Sequence, residues 1–322
     1  MEAVLLSPST ELPERPQVLQ VIDTLARDFL QGKIKALKTA MICLLAEGHL
    51  LIEDIPGLGK TSLALALSGA LGLDFGRVQC TADLLPSDIT GLSIFNREDN
   101  RFHFVKGPIF NHLVLVDEIN RTLPKTQSAL LEAMEERRVT LEGVTSLLPE
   151  PFMVIATQNP LDQVGTFALP ESQLDRFLMT TDIGYPPAAL EQDIIRYGSI
   201  REDLSQMQPL LDCEQVLQAR RCVREQIGIH QRVAAYIQEI LQASREHPSF
   251  VAGLSTRAGI GLAAAARAQA YLEGRPFVVP EDVQSVALAV VSHRLQLRPE
   301  AGHQDKNEVL QSLLAQIAVP IA

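Results

Sequence analysis

Residues His49-Leu50-Leu51-Ile52-Glu53 form a short apolar run that breaks into Asp54-Ile55-Pro56-Gly57-Leu58-Gly59-Lys60-Thr61 and resumes as the helical stretch SLALALSGALG. No other feature constrains the fold so tightly. A strand that passes through a glycine-rich turn into a Lys-Thr helix start aims the turn's backbone N–H groups and the positive end of a helix dipole at one point, where an anion is stabilised. Gly57 and Gly59 let the backbone approach a phosphate with no Cβ in the way. Lys60 then reaches the β- and γ-phosphates, and the Thr61 hydroxyl is placed to ligate Mg²⁺. Pro56, Gly57, Leu58, Gly59, Lys60, Thr61 and Ser62 are the expected cradle. The generic pattern asks for glycine five residues before Gly59, where this chain has Asp54. Asp54 is expected only to turn the chain out of the strand, with its carboxylate aimed away from the phosphates.

A second element completes the chemistry. Leu113-Val114-Leu115-Val116 runs straight into Asp117-Glu118, an apolar strand ending in two carboxylates, as phosphate-loop NTPases place them. Asp117 is the expected second Mg²⁺ residue beside Thr61, and Glu118 the group that polarises an attacking water. The bland alternative is a solvated acidic strand end, which four apolar residues leading into it disfavour. No guanine-reading Asn-Lys-x-Asp occurs, so ATP with Mg²⁺ is the expected cofactor pair.

Around these motifs the chain alternates. Apolar residues recur at helical spacing from about Val18 to Glu47, and strand-like runs lie at 75–80, 112–117, 152–157 and 179–185. The alternation predicts an α/β fold with a five-stranded parallel sheet flanked by helices. Residues 92–105 and 138–148 read instead as hairpins, turning at 97–100 (Arg-Glu-Asp-Asn) and at Glu142-Gly143. After Pro186-Pro187 the pattern is helical to the end. The expected organisation is a loose leader at 1–14, a nucleotide-binding core at 15–187 and an all-α lid at 188–322, within the length of roughly two domains.

Composition narrows the function. A formal net charge of −11, with 5% aromatic residues and no Trp, disfavours autonomous binding to nucleic acid or an anionic membrane. The cluster Arg220, Arg221, Arg224 reads as a solvated helix face. Cys43, Cys80, Cys213 and Cys222 lack CxxC spacing and read as reduced thiols, with no zinc site expected. No signal sequence or membrane span is evident, so a cytoplasmic location is expected.

Three longer stretches, DEINRTLPKTQSALLEAMEERRVT (117–140), ATQNP (156–160) and LPESQLDRFLM (169–179), resemble the MoxR family of AAA+ ATPases. The similarity runs from about residue 15 to the C-terminus, including GRPFVVPEDV (274–283) and VPIA (319–322). It implies an AAA+ core with two β-hairpin inserts and a C-terminal helical lid. By resemblance, Asn159 is a sensor that orients the lytic water, Arg176 is an arginine finger reaching a neighbouring subunit's nucleotide, and Arg257 is a second sensor on a lid helix. The local chemistry agrees in one respect: Ser255 can cap a helix carrying Arg257 in its first turn, where an anionic partner must offset the positive dipole end. One departure is Gly32-Lys33, where relatives often carry Gly-Gln near the adenine.

The resemblance further implies a ring homo-oligomer, usually a hexamer, and a chaperone-like remodeller of protein complexes. Its expected partners are a von Willebrand factor A-domain protein and a client protein. A nucleic-acid motor of the same clade is the main alternative, although the 97–100 turn sets Arg97 against Glu98 and Asp99. A nucleotide-gated structural assembly with weak turnover is the third.

Overall fold

The computed structural model describes residues 12–98, 100–161, 165–197, 204, 207–299 and 305–320. Of the sequence expectations, most of the leader (1–11), Asp99 in the first hairpin turn and the last two residues of VPIA lie outside that set.

The chain opens with α1 (Arg15–Thr24), a π-helical turn at Leu25–Phe29 and α2 (Ile34–Leu45). The helical spacing of 18–47 is thus interrupted, because Gly32 adopts φ 74° and turns the chain between the two helices. β1 (Leu50–Glu53) and α3 (Lys60–Ala70) flank the phosphate loop, and β2 (Phe75–Gln79) and α4 (Pro86–Thr90) follow. The first hairpin is β3 (Gly91–Asn96) with β4 (Arg101–Lys106). It precedes β5 (Leu113–Asp117), α5 (Pro124–Glu136) and the second hairpin, β6 (Arg138–Leu141) with β7 (Val144–Leu147). β8 (Met153–Gln158), α6 (Glu171–Leu174) and β9 (Met179–Thr181) complete the αβα layer. Helices α7 (Ala188–Tyr197), α8 (Cys213–Glu225), α9 (Gln231–Glu246), α10 (Thr256–Leu272), α11 (Pro280–Val291) and α12 (Lys306–Gln316) follow.

The five sheet strands are parallel in the order β2-β5-β8-β1-β9. Parallel sheets are covered on both faces and read as continuous apolar runs, which is why Leu113–Asp117 and Met153–Ala156 are buried throughout. β9 is shorter than the 179–185 run predicts. Gly184 takes φ 71° and Pro186-Pro187 cannot supply ladder N–H groups, so pairing stops at Thr181. Both hairpins stand apart from the sheet as isolated two-stranded ribbons. On the first, Leu92, Ile94, Phe95, Phe102 and Val105 remain exposed, because two strands cannot cover both of their own faces.

Two apolar clusters hold the layers. One lies under α5 and packs Val116, Ile119, Leu131, Met134, Phe152 and Phe177. The other covers the opposite sheet face and continues from α2 and α3 through Val223, Tyr236, Leu262, Tyr271 and Val290 of the later helices. The helical segment is therefore joined to the core by a shared apolar interior.

Arg220 corrects the sequence reading. Only 3% of it is exposed; its guanidinium donates to Leu44 O at 2.8 Å and Phe152 O at 3.5 Å. Burial lowers its pKa to about 10. α8 presents Val216, Ala219 and Val223 to the core, and Arg220 falls on that same face by helical spacing. Its neighbours Arg221 and Arg224 do stay on the exposed side, paired with Glu214 and Glu47. Replacing Arg220 by alanine leaves Leu44 O with only the Glu47 N–H at 3.2 Å and opens a cavity, and is expected to cost about 2–4 kcal/mol. Urea unfolding of R220A against wild type measures it.

Candidate functional site

Parallel pairing puts the carboxyl ends of β1, β5 and β8 on one edge of the sheet, where ligands of open α/β folds bind. Register does the rest. Ile52 lies beside Thr157 and Val116 beside Ala156, so the phosphate loop leaves the sheet next to Thr157, and Asp117 follows on the other side. A cleft of about 950 Å³ opens there, lined by Pro56 through Ser62, Arg77, Gln79, Asp117, Glu118, Thr157 and Asn159. The expected cradle, both carboxylates and Asn159 thus face one cavity.

The loop has the backbone that the sequence implies. Gly57 and Gly59 take φ 88° and 91°, and a Cβ on Gly57 would meet nothing within 4 Å, whereas one on Gly59 would lie 2.6 Å from Lys33 Nζ. Lys60 Nζ donates to the Asp54 carbonyl at the loop's entrance. Gly59 is the N-cap of α3, and Lys60, Thr61 and Ser62 of its first turn line the cleft, so the first N–H groups of that helix face it.

Asp117 is buried and accepts from Arg77 Nε at 2.8 Å and from Thr157 Oγ1 at 3.5 Å. Glu118 adopts the left-handed conformation, φ 57°, a strained state for a non-glycine residue that functional sites tend to hold. Its N–H donates to Thr157 Oγ1 at 2.9 Å, and its carboxylate meets Gln79 Nε2 at 3.3 Å and Arg121 at 3.2 Å. Burial, reinforced by the charges of Asp117 and Glu118, pushes the Cys80 thiol up to about 12, so it stays protonated and inert. Asn159 is buried, its Oδ1 accepting from Leu161 N–H at 3.1 Å. Thr61 and Asp117 offer a hydroxyl and a carboxylate to the same space, the hard oxygen donors that Mg²⁺ takes.

Several partners here escape sequence reading. Arg77, Gln79 and Thr157 carry no motif, but β2 alternates exposed Arg77 and Gln79 with buried Gly76 and Val78. Polar residues alternating with buried ones on this edge strand are the signal that could have found Arg77 and Gln79. Lys33 is half buried and donates to Leu58 O at 2.5 Å. Burial lowers its pKa, an effect that the charge of Asp54 opposes. Residues 28–31 and 185–195 also line the cleft, where Phe29, Leu30, Tyr185, Pro186, Leu190 and Ile194 stand among Asp28, Gln31, Glu191 and Asp193, apolar surface with a polar edge that suits a nucleobase.

Arg176 and Arg257 lie elsewhere. They line a second, smaller cavity of about 180 Å³ with Glu47, His49, Glu135 and Arg137, and neither borders the large cleft. Glu135 at the end of α5 holds both, Arg176 Nε at 3.1 Å and Arg257 Nη1 at 3.0 Å. Asp175 stands 4.0 Å from Arg257 and accepts from Arg294 Nε at 2.7 Å. Arg294 also donates to Phe177 O and Leu178 O, so a residue from the helical segment fixes the stretch that carries Arg176. His49 secures α5 from behind: Met134 O lies 3.2 Å from Nε2, and Val154 N–H donates to Nδ1 at 3.0 Å. Burial drives the pKa of His49 to about 3, so it is a neutral structural connector. The anions that offset a cation at the start of α10 are thus Glu135 and Asp175 of this chain.

The comparisons with known proteins bear on the whole assembly. The model of the ATPase family associated with various cellular activities (AAA) matches residues 49–179, and an AAA lid domain model matches 242–313. The chain is 35% identical to the chaperone MoxR1 of Mycobacterium tuberculosis over 300 residues, spanning 90% of this chain and 79% of that protein. It belongs to the MoxR family of AAA+ ATPases. It is also 43% identical to the Bacillus subtilis protein YeaC over 90% of this chain and 91% of that one. A crystal structure of a candidate ATPase from Cytophaga hutchinsonii superimposes with a TM-score of 0.87 at 35% identity, covering 95% and 96% of the two chains. The AAA+ core with its five-stranded sheet and C-terminal lid is the fold of the family. Among the described residues, no helix is long and apolar enough to cross a membrane.

Ser255 Oγ accepts from Ala258 N–H at 3.1 Å and so caps the helix that starts with Thr256 and Arg257. Ser255→Ala is expected to lower stability by about 1 kcal/mol, read as a shift in the thermal unfolding midpoint.

Proposed function

We propose that the chain hydrolyses ATP with Mg²⁺ at a site completed only between neighbouring subunits of a ring. The observation that carries this reading is the separation of two half-sites. Lys60, Thr61, Asp117, Glu118 and Asn159 share the large cleft, while Arg176 and Arg257 are held together on Glu135 beside a different cavity. One subunit thus offers binding and water activation without its arginines. A second offers the arginines, and such a head-to-tail contact generates a ring when its rotation closes.

In this mechanism the loop amides and Lys60 hold the β- and γ-phosphates. Bound Mg²⁺, held by Thr61 and Asp117, would supply charge neutralisation at the phosphate oxygens. Glu118 takes a proton from a water that Asn159 orients; the water oxygen bonds to the γ-phosphorus as the bond to the bridging oxygen breaks. Arg176 of the adjoining subunit stabilises the charge that develops, an effect typically worth about 10³–10⁵ in rate. Arg257 sits beside it as a second cation acting across the same interface. Glu135 keeps the two guanidinium groups from repelling one another apart, leaving Arg257 about half exposed and available to a neighbour.

The output we infer is chaperone-like remodelling of protein complexes, with a von Willebrand factor A-domain protein as partner. The name of the Mycobacterium tuberculosis relative, a chaperone, supports the chaperone-like output. The acidic balance and the Arg97-Glu98 hairpin turn weigh against a nucleic-acid motor.

Two experiments test the mechanism. Glu118→Gln should bind ATP as wild type does while its turnover falls by about 10² or more, since only water activation is removed; normal turnover would refute the assignment. Arg176→Ala and Glu118→Gln subunits, each inactive alone, should regain activity when mixed. By random assortment in a ring, roughly a quarter of sites join an intact cleft to an intact finger. Phosphate release from the mixture measures this, and a mixture as inactive as its components would show that the finger acts within its own subunit.

A further inference from the structure

The carboxylate of Asp54, at the exit of β1, accepts hydrogen bonds from backbone groups far apart in sequence. Oδ1 takes the N–H of Ile55 at 2.8 Å; Oδ2 takes those of Ile183 at 2.9 Å and Gly184 at 2.8 Å. Ile55 opens the phosphate loop. Ile183 and Gly184 follow β9, and the next residues, Tyr185 and Pro186, line the large cleft on the stretch read above as the base side. Past Thr181 the chain has left the sheet, and its N–H groups need another acceptor. Asp54 provides one, through charge-assisted bonds that are roughly twice as strong as neutral ones. A glycine, the residue of the generic phosphate-loop pattern, has no side chain with which to do so.

A second tie approaches from the other direction. Lys33, on the 28–33 side of the cleft, donates to the loop carbonyl of Leu58. The two sides also meet each other: a Cβ on Gly32 would lie 2.6 Å from Pro187 Cδ. Phosphate loop and base-side wall are therefore fastened by side chains that reach from one to the other.

We propose that Asp54 is a positioning residue that fixes the base-side wall of the cleft to the phosphate loop, so that the nucleoside and phosphate parts of a nucleotide are gripped as one unit. The proposal rests on the nucleotide reading above and adds a specificity to it. Asp54 strengthens binding of nucleotides but not of inorganic polyphosphate, which touches the loop alone.

The test is calorimetric titration of wild type, Asp54→Ala and Asp54→Asn with ADP and with tripolyphosphate. Asp54→Ala should weaken ADP about tenfold and tripolyphosphate less than about twofold. Asp54→Asn retains one acceptor oxygen and should fall between for ADP, which keeps the comparison readable if the alanine variant does not fold. Without ligand, hydrogen exchange in peptides spanning 181–190 should accelerate in Asp54→Ala, as the amides of Ile183 and Gly184 lose their acceptor. Equal weakening of both ligands, or unchanged ADP affinity, overturns the proposal alone. A wild-type protein that takes up tripolyphosphate but not ADP, or neither, overturns the nucleotide reading and this proposal with it.

Discussion

The site depends first on the register of three parallel strands, β5, β8 and β1. Thr157 sits between the loop-bearing strand and the carboxylate-bearing one, its Oγ1 within 2.9 Å of Glu118 N and 3.5 Å of Asp117 Oδ1. Strand side chains alternate with a period of two, so a one-residue slip of β5 would turn Asp117 to the other face and bring Val116 to its place. The register is held by burial on both faces: Val114 and Val116 pack under α5, while Leu113 and Leu115 pack toward α3. The apolar residues that make the strand legible as a strand are thus the same ones that aim its acidic end.

This explains what could be seen in the sequence. The phosphate loop, the Asp117-Glu118 strand end, both hairpins and the five-stranded parallel sheet were legible because each is a local pattern enforced by local physics. What escaped was set by contacts between distant positions. Arg220 reads as one of three arginines on a helix, and only the packing of α8 against α2 shows that it faces Leu44 O while Arg221 and Arg224 face outward. The expected strand at 179–185 is cut short after Thr181, and the next N–H groups are captured by Asp54, 129 residues upstream. Arg77 and Lys33 are similar cases, ordinary cations by sequence that the fold delivers to Asp117 and Leu58.

The placement of Glu135 and Asp175 joins electrostatics to assembly. Arg257 lies in the first turn of α10, where the helix dipole is unfavourable to a cation by a few tenths to about 1 kcal/mol. Arg176 stands near it and adds like-charge repulsion. Glu135 and Asp175 counter both terms, yet the pairs are partly exposed and such pairs are individually weak. Weak pairing suits the proposed role. Guanidinium groups locked in a buried ion pair would have to shed it before meeting a neighbour's phosphate, whereas these can exchange a carboxylate for a phosphate oxygen at small cost.

The same logic links the helical segment to the chemistry. Arg294 follows α11 and is almost buried, with Asp175 on one side and the carbonyls of Phe177 and Leu178 on the other. It holds the stretch between α6 and β9 that carries Arg176. Beyond β9 that chain runs into Ile183 and Gly184, which Asp54 binds. Hydrogen bonds therefore lead from the end of α11 two ways: through Arg294 to the stretch carrying Arg176, the proposed finger, and along β9 and Asp54 to the chain's own phosphate loop. The connection consists of packed elements joined by side-chain hydrogen bonds to backbone. Asp54, a missing glycine by the generic pattern, lies where that connection reaches the phosphate loop.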